Sequence, residues 1–223
     1  MNEPECVPTV SFSSETYVAA ESAGSVEVCV ILNIPYSFVL EFTVNARDIG
    51  SATAGVDFVG GKWKTNILPG STDRCINITI LNDNIALEEN ENFAVEIAMA
   101  SVPSITSTAE IIITDSNVAI VELEETLYRV TEAGGSVQVC VRVGSPCSCG
   151  CPIASAFVVS LYTNDDDADS VTDYSAVTAT LSFPPCSTLQ CVTIAITDDS
   201  NTEPDESFSL IWRDHLVLTA GSR

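Results

Sequence analysis

Basic residues are scarce in this 223-residue chain: eight Lys and Arg stand against 31 Asp and Glu, for a formal net charge of −23. A surface so negative repels nucleic acid and anionic membrane and attracts cations. Histidine is rarer still. The one copy, His215, has no nucleophile motif around it, so the chain reads as non-enzymatic. Its acidic clusters imitate a glycosidase carboxylate pair, but no aromatic sugar platform or cleft-forming scaffold is evident beside them. No uncharged apolar run approaches the ~20 residues that a transmembrane helix needs. The opening MNEPECVPTV has neither a basic n-region nor an apolar h-region and does not read as a signal peptide.

What is present points elsewhere. A hydrophobic content of 46% argues for a packed core in spite of the charge. Nine cysteines are many for a reducing cytosol. With no leader at the start, the cysteines fit an internal piece of a longer secreted or ectodomain chain.

Strand signals dominate. SVEVCVIL (25–32), FVLEFTVN (38–45), CINITI (75–80), NFAVEIAM (92–99) and STAEIIIT (107–114) are short β-branched runs with mostly period-two alternation. Gly, Pro, Asn and Asp separate them, and no amphipathic helix of three turns stands out. The grammar then repeats. VAAESAGSVEVCV (18–30) matches RVTEAGGSVQVCV (129–141), TAGVDF (53–58) matches SVTDYS (170–175), and CINITILND (75–83) matches CVTIAITDD (191–199). The expectation is an all-β chain of two tandem immunoglobulin-like β-sandwiches, residues 7–115 and 118–223. The second copy looks incomplete, because RDHLVLTAGSR (213–223) does not reproduce the last alternating strand of the first.

Face by face, Cys29 and Cys75 share the outward side of their strands, as do Cys140 and Cys191 in the second copy. If those strands are neighbours, the spacing suits cross-strand disulfides; free half-buried thiols are the alternative. Cys6, Cys147, Cys149, Cys151 and Cys186 remain unassigned. The alternate-residue CSCGC fits zinc spacing poorly, and a loop staple, with Cys186 as a candidate partner, suits it better. Asn77, in Asn-Ile-Thr on an outward position, is a glycosylation acceptor for a secretory compartment.

Acidic turns also recur. ILNDNIALEENENF (80–93) and ITDDSNTEPDESF (196–208) each crowd carboxylates after a strand and before a phenylalanine. Like charges this close repel unless a cation neutralises them, and Ca²⁺ takes six to eight oxygens from several segments. Ordinary solvated turns are the alternative. NDDDADS (164–170) is no EF-hand: Ser170 stands where glycine is needed and Ala176 where the bidentate glutamate belongs.

In order, the chain carries Glu-x-x-Gly (Glu21, Gly24; Glu132, Gly135), Gly-x-Asp-Phe (Gly55, Asp57, Phe58), Pro-Gly before a strand (Pro69, Gly70) and Glu-x-x-Glu-x-Phe (Glu88, Glu91, Phe93; Glu203, Glu206, Phe208). This order, occurring twice, resembles the Calx-β domain of sodium–calcium exchangers, matrix and adhesion proteins and large adhesion receptors. The resemblance implies calcium at one end of each sandwich. It implies ligands Glu21, Asp57, Asp83, Glu88, Glu91 and Asp115 in the first unit, and Glu132, Asp173, Asp198, Asp199, Glu203 and Glu206 in the second. Asn82 stands opposite Asp198, and the second unit has no counterpart of Asp115. The expected function is a calcium-binding repeat module of an extracellular adhesion, matrix or receptor ectodomain protein. Its expected partners are neighbouring Calx-β repeats and other cell-surface or matrix proteins. The alternative is a calcium-sensing regulatory module of a membrane ion exchanger.

Overall fold

Period-two alternation builds the sheets of the computed structural model, which describes residues 8–99, 102–144, 151, 153–199 and 201–213. The contacts divide the chain into two units, residues 1–83 with 89–116 and residues 84–88 with 117–223. The first unit runs β1 (Val10–Phe12), β2 (Thr16–Ala20), β3 (Ser25–Leu32), β4 (Leu40–Arg47), β5 (Lys62–Ile67), β6 (Asp73–Thr79), β7 (Glu91–Met99) and β8 (Val102–Thr114). One sheet has the order β1-β3-β6 and the other β2-β8-β7-β4-β5. All these pairs are antiparallel except β2 with β8. In β3, Val26, Val28, Val30 and Leu32 turn inward, which is what the alternating apolar pattern demands. They meet Phe42, Val44, Phe93, Val95 and Ile97 of the other sheet in a single core. Within it Phe58 and Phe93 stack at 3.7 Å.

The second unit runs β9 (Ile120–Leu123), β10 (Ser136–Gly144), β11 (Phe157–Asp165), β12 (Thr178–Phe183), β13 (Leu189–Ala195) and β14 (Phe208–Arg213). Its sheets are β13-β10-β9 and β12-β11-β14. Phe157 stacks on Phe183 at 4.8 Å and Tyr174 on Phe208 at 4.0 Å. The order β12-β11-β14 repeats β5-β4-β7 of the first unit. Among the described residues β14 pairs on one side only, where β7 pairs on both. His215 and the rest of the closing stretch beyond Arg213, which the sequence marks as atypical, lie outside the described residues.

In the first unit three strands escaped the sequence reading, β1, β2 and β5. All are short, and Lys62-Trp-Lys-Thr-Asn of β5 lacks an aliphatic run. The segment Asn84–Glu88 groups with the second unit: Ala86 bridges Ile153, and the Ala154 N–H donates to its carbonyl at 2.9 Å. The helical elements described are two three-residue 3₁₀ turns, Glu21–Ala23 and Glu132–Gly134. No described helix is long and apolar enough to cross a membrane.

Candidate metal centre

Each unit presents the same turn ahead of its acidic segment. In the second, the Asp173 N–H donates to the Asp169 carbonyl at 2.9 Å, and the Asp169 N–H donates back to Asp173 Oδ2 at 2.6 Å. The Asp173 carbonyl then accepts from Thr197 N–H at 2.9 Å, just after β13. In the first, Asp57 N–H donates to the Thr53 carbonyl at 3.0 Å, Thr53 N–H to Asp57 Oδ2 at 2.7 Å, and Leu81 N–H to the Asp57 carbonyl at 2.8 Å. Residues far apart in sequence, TAGVDF and SVTDYS, thus fold alike because one aspartate caps its own turn and ties it to the strand end.

In the second unit this turn brings Asp173 to the acidic segment before β14. Carboxylate oxygens of Asp173, Glu203 and Glu206 lie within 4.8 Å of one another. Partial loss of water pushes the Glu203 carboxyl above the ordinary glutamate range although the residue is exposed, and Asp199, Asp173 and Glu132 push it further by repulsion. Desolvation comes first for Glu206 too, followed by Asp173, Glu203, a hydrogen bond to Asp173, and Asp167. Asp173 moves the other way. The backbone N–H of Asp169 holds it below the usual aspartate range, helped by Thr172 and by Glu206. The two shifts oppose each other across one hydrogen bond: the contact between Glu206 and Asp173 raises the glutamate and lowers the aspartate.

The other expected ligands of this unit divide. Glu132 opens its 3₁₀ turn, exposed, and acts on Glu203 through its charge. Asp199 also acts through its charge, and its two oxygens accept from the Asn201 N–H at 2.7 Å and the Asn201 side-chain amide at 2.6 Å. Asp198 is exposed and is outside the close trio. Of the NDDDADS loop, Asp165 is occupied by the Tyr174 hydroxyl and by Ser170, whose N–H and hydroxyl donate at 3.1 and 3.2 Å. That loop scaffolds the Asp173 turn.

In the first unit, Glu21 and Asp83 bring carboxylate oxygens within 4.8 Å of each other. Glu21 opens a 3₁₀ turn closed by Gly24 at φ 71°, a left-handed conformation that suits glycine. It is only 5% exposed. Asp57 is buried and committed to its turn through Oδ2. Glu91 begins β7, Asp115 follows β8, and Glu88 stands in the segment grouped with the second unit.

The chemistry of the donor set fits a hard divalent cation: carboxylates from separate segments, mutually repelling, with no histidine or thiolate among them. A third grouping, Glu27 with Cys29 and Cys75, does not fit, because the sulfurs are bonded to each other. Cys140 and Cys191 are bonded likewise, as are Cys151 and Cys186. Cys29 faces Cys75 and Cys140 faces Cys191 directly across their ladders. Cys140 is nevertheless buried rather than outward and open. Cys6, Cys147 and Cys149 lie outside the described residues. Asn77 is exposed on β6.

Sequence reasoning missed a tyrosine in each unit. The Tyr17 hydroxyl donates to the Cys29 carbonyl at 3.2 Å, and Tyr128 bonds both the carbonyl and the N–H of Cys140 at 3.4 and 3.3 Å. The signal was there: each tyrosine immediately precedes one of the matching stretches.

A family model described as the Calx-beta domain matches residues 4–117 and again 114–216. The chain is 25% identical over 205 residues to the "Sodium/calcium exchanger Calx" of Drosophila melanogaster, covering 89% of this chain and 20% of that protein. It is 26% identical over 219 residues to the "Extracellular matrix organizing protein FRAS1" of Mus musculus, covering 92% of this chain and 5% of that protein. The chain therefore spans a fifth or less of these relatives. A crystal structure of the calcium binding domain CBD12 of CALX1.1 aligns with a TM-score of 0.47 at 22% identity, covering 92% of this chain and 79% of that one. With the family's pattern matched twice along its length, this chain belongs to the Calx-beta domain family as a tandem pair.

Proposed function

We propose that the chain is a calcium-binding, non-enzymatic repeat module of a longer extracellular adhesion, matrix or receptor ectodomain protein. The observation that carries the calcium reading is the trio Asp173, Glu203 and Glu206, whose oxygens converge while two of the three resist losing their protons. Ca²⁺ supplies the charge that offsets their mutual repulsion, and three carboxylates offer up to six of its oxygens. Glu132, Asp198 and Asp199 add field or outer contacts. In the first unit Glu21 and Asp83 are the core of the equivalent site, with Asp57, Glu91 and Asp115 as further ligands. Mg²⁺ suits this set less well, since it retains waters and rarely uses an all-protein cage.

Three disulfides support an oxidising, extracellular setting, with neighbouring repeats and cell-surface or matrix proteins as partners. The second reading, a calcium-sensing regulatory module of an ion exchanger, draws on the similarity to the Drosophila exchanger over 89% of this chain. Calorimetric calcium titration of the whole chain tests the first point, with magnesium as the control and Glu203→Gln/Glu206→Gln as the variant. Millimolar or tighter calcium binding, weakened in the variant, is the expected result. No calcium heat in the wild type refutes it. Non-reducing mass mapping of the native protein decides between compartments: free thiols at Cys29, Cys75, Cys140 and Cys191 favour the exchanger.

A further inference from the structure

We infer that Asn77 carries an N-linked glycan that closes the open edge of β6. The inference rests on the extracellular reading above, since only a secretory compartment attaches such a glycan. β6 is the last strand of the sheet β1-β3-β6. Such an edge offers unpaired backbone groups to any extended chain, and proteins blunt it with charge, bulges or cover. The backbone at Asn77 is on the open side. The Thr79 carbonyl points away from β3 to accept from Val59 N–H at 2.9 Å. Alternate residues of a strand present their N–H and C=O to the same side, so Asn77 faces outward two residues earlier. Its cross-strand neighbour is Glu27, and Asn77, Thr79 and Glu27 are all exposed. The acceptor amide and the Thr79 hydroxyl thus share one solvent face of the strand.

The remainder of β6 already has cover. Asp73 and Arg74 charge its start, with Arg74 Nε donating to Thr65 Oγ1 of β5 at 3.2 Å. Val59 occupies its end. Among the described residues the interval between them pairs with β3 alone, and it holds the sequon. The other sheet's edge strand β5 is blunted differently, by Lys62 and Lys64, both exposed and the only lysines of the chain. In the second unit the Ser175 N–H repeats the Val59 contact at the Ala195 carbonyl, 2.9 Å. Thr193 there occupies the position of Asn77, and Thr-Ile-Ala is not an acceptor. The device belongs to the first unit.

The test is expression of the whole chain behind a cleavable leader in a eukaryotic secretory host. Glycopeptide mapping, non-reducing disulfide mapping and light scattering follow. Wild type should carry a glycan at Asn77, removable by peptide-N-glycosidase with conversion of that residue to Asp, and should be monomeric. Asn77→Gln and Thr79→Val should both lose the glycan and shift toward dimers, while Asn77→Lys, which charges the edge without a glycan, should return to monomer. Disulfide-bonded protein with unmodified Asn77 overturns the inference and leaves the extracellular reading standing. Reduced cysteines throughout overturn both. A glycan present in wild type with both variants still monomeric overturns the edge-closing role.

Discussion

Acidification is the perturbation that the second unit's trio answers most directly. Glu203 and Glu206 are held above the ordinary glutamate range and Asp173 below that of aspartate. Calcium takes deprotonated carboxylates, so each proton still bound must leave when the ion arrives. Above the raised values no proton competes, and affinity is flat with pH. Below one of them, affinity falls about tenfold per pH unit; below both, about a hundredfold. Asp173 adds no third proton until its own lowered range is reached. Calorimetric titration at descending pH, repeated in two buffers of different ionisation enthalpy, counts those protons. Constant affinity through the carboxylate range, or equal heats in both buffers at acid pH, refutes the coupling of calcium to the raised glutamates. The sign for calcium-free stability is opposite. A raised carboxyl pKa means that the fold holds its proton more tightly than the unfolded chain does. The two glutamates therefore favour the fold below the unfolded value, and that contribution is lost as pH rises through the raised ones. Asp173 contributes above the unfolded aspartate value and loses its share as pH falls through its lowered range.

Three further outcomes follow from the packing. Phe93→Ala removes the ring stacked on Phe58 from a site only 1% exposed, and should cost about 3–5 kcal/mol in a denaturant melt. Tyr128→Phe leaves its two Cys140 backbone contacts unmade and should cost about 1 kcal/mol, read as a lowered urea midpoint at unchanged slope. Reducing Cys29–Cys75, which closes a separation of 46 residues, should cost about 4 kcal/mol on the chain-entropy model, read as a fall in Tm under reductant.

Much of the fold was written in alternation. β3 and β10 fell where valines recur every second residue, and the paired cysteines announced that β3 lies beside β6 and β10 beside β13. β1, β2 and β5 were hidden because a short strand whose neighbours supply the burial needs little apolar content of its own. The site was legible as a list of acids but not as a geometry. Asp57 and Asp173 look like ligands in sequence, and each spends one oxygen on its own turn. Asp199 spends both on Asn201. Short-range capping by aspartate is a local hydrogen bond that composition does not distinguish from metal binding. The assignment of Asn84–Glu88 to the second unit depends on a tertiary bridge from Ala86 to Ile153, which no local signal encodes.

The two copies of one motif have diverged in burial, and on the calcium reading proposed above burial sets how much each unit would gain from an ion. Glu132 is exposed, whereas Glu21, at the same place in the same 3₁₀ turn, is 5% exposed and within 4.8 Å of the Asp83 carboxylate. A carboxylate withdrawn from water beside another acid costs free energy that an exposed one does not. A bound cation removes more of that cost in the first unit than in the second. Free calcium at ten times the dissociation constant adds about 1.4 kcal/mol to any site, but the local gain in order should be unequal. Hydrogen exchange should show stronger calcium-induced protection at 21–24 and 81–83 than at 132–135 and 197–199. Glu21→Gln, which keeps the shape and removes the buried charge, should abolish that protection. Equal protection in both units, or unchanged protection in the Glu21→Gln protein, would show that burial of this glutamate is not what ties the first unit to its ion.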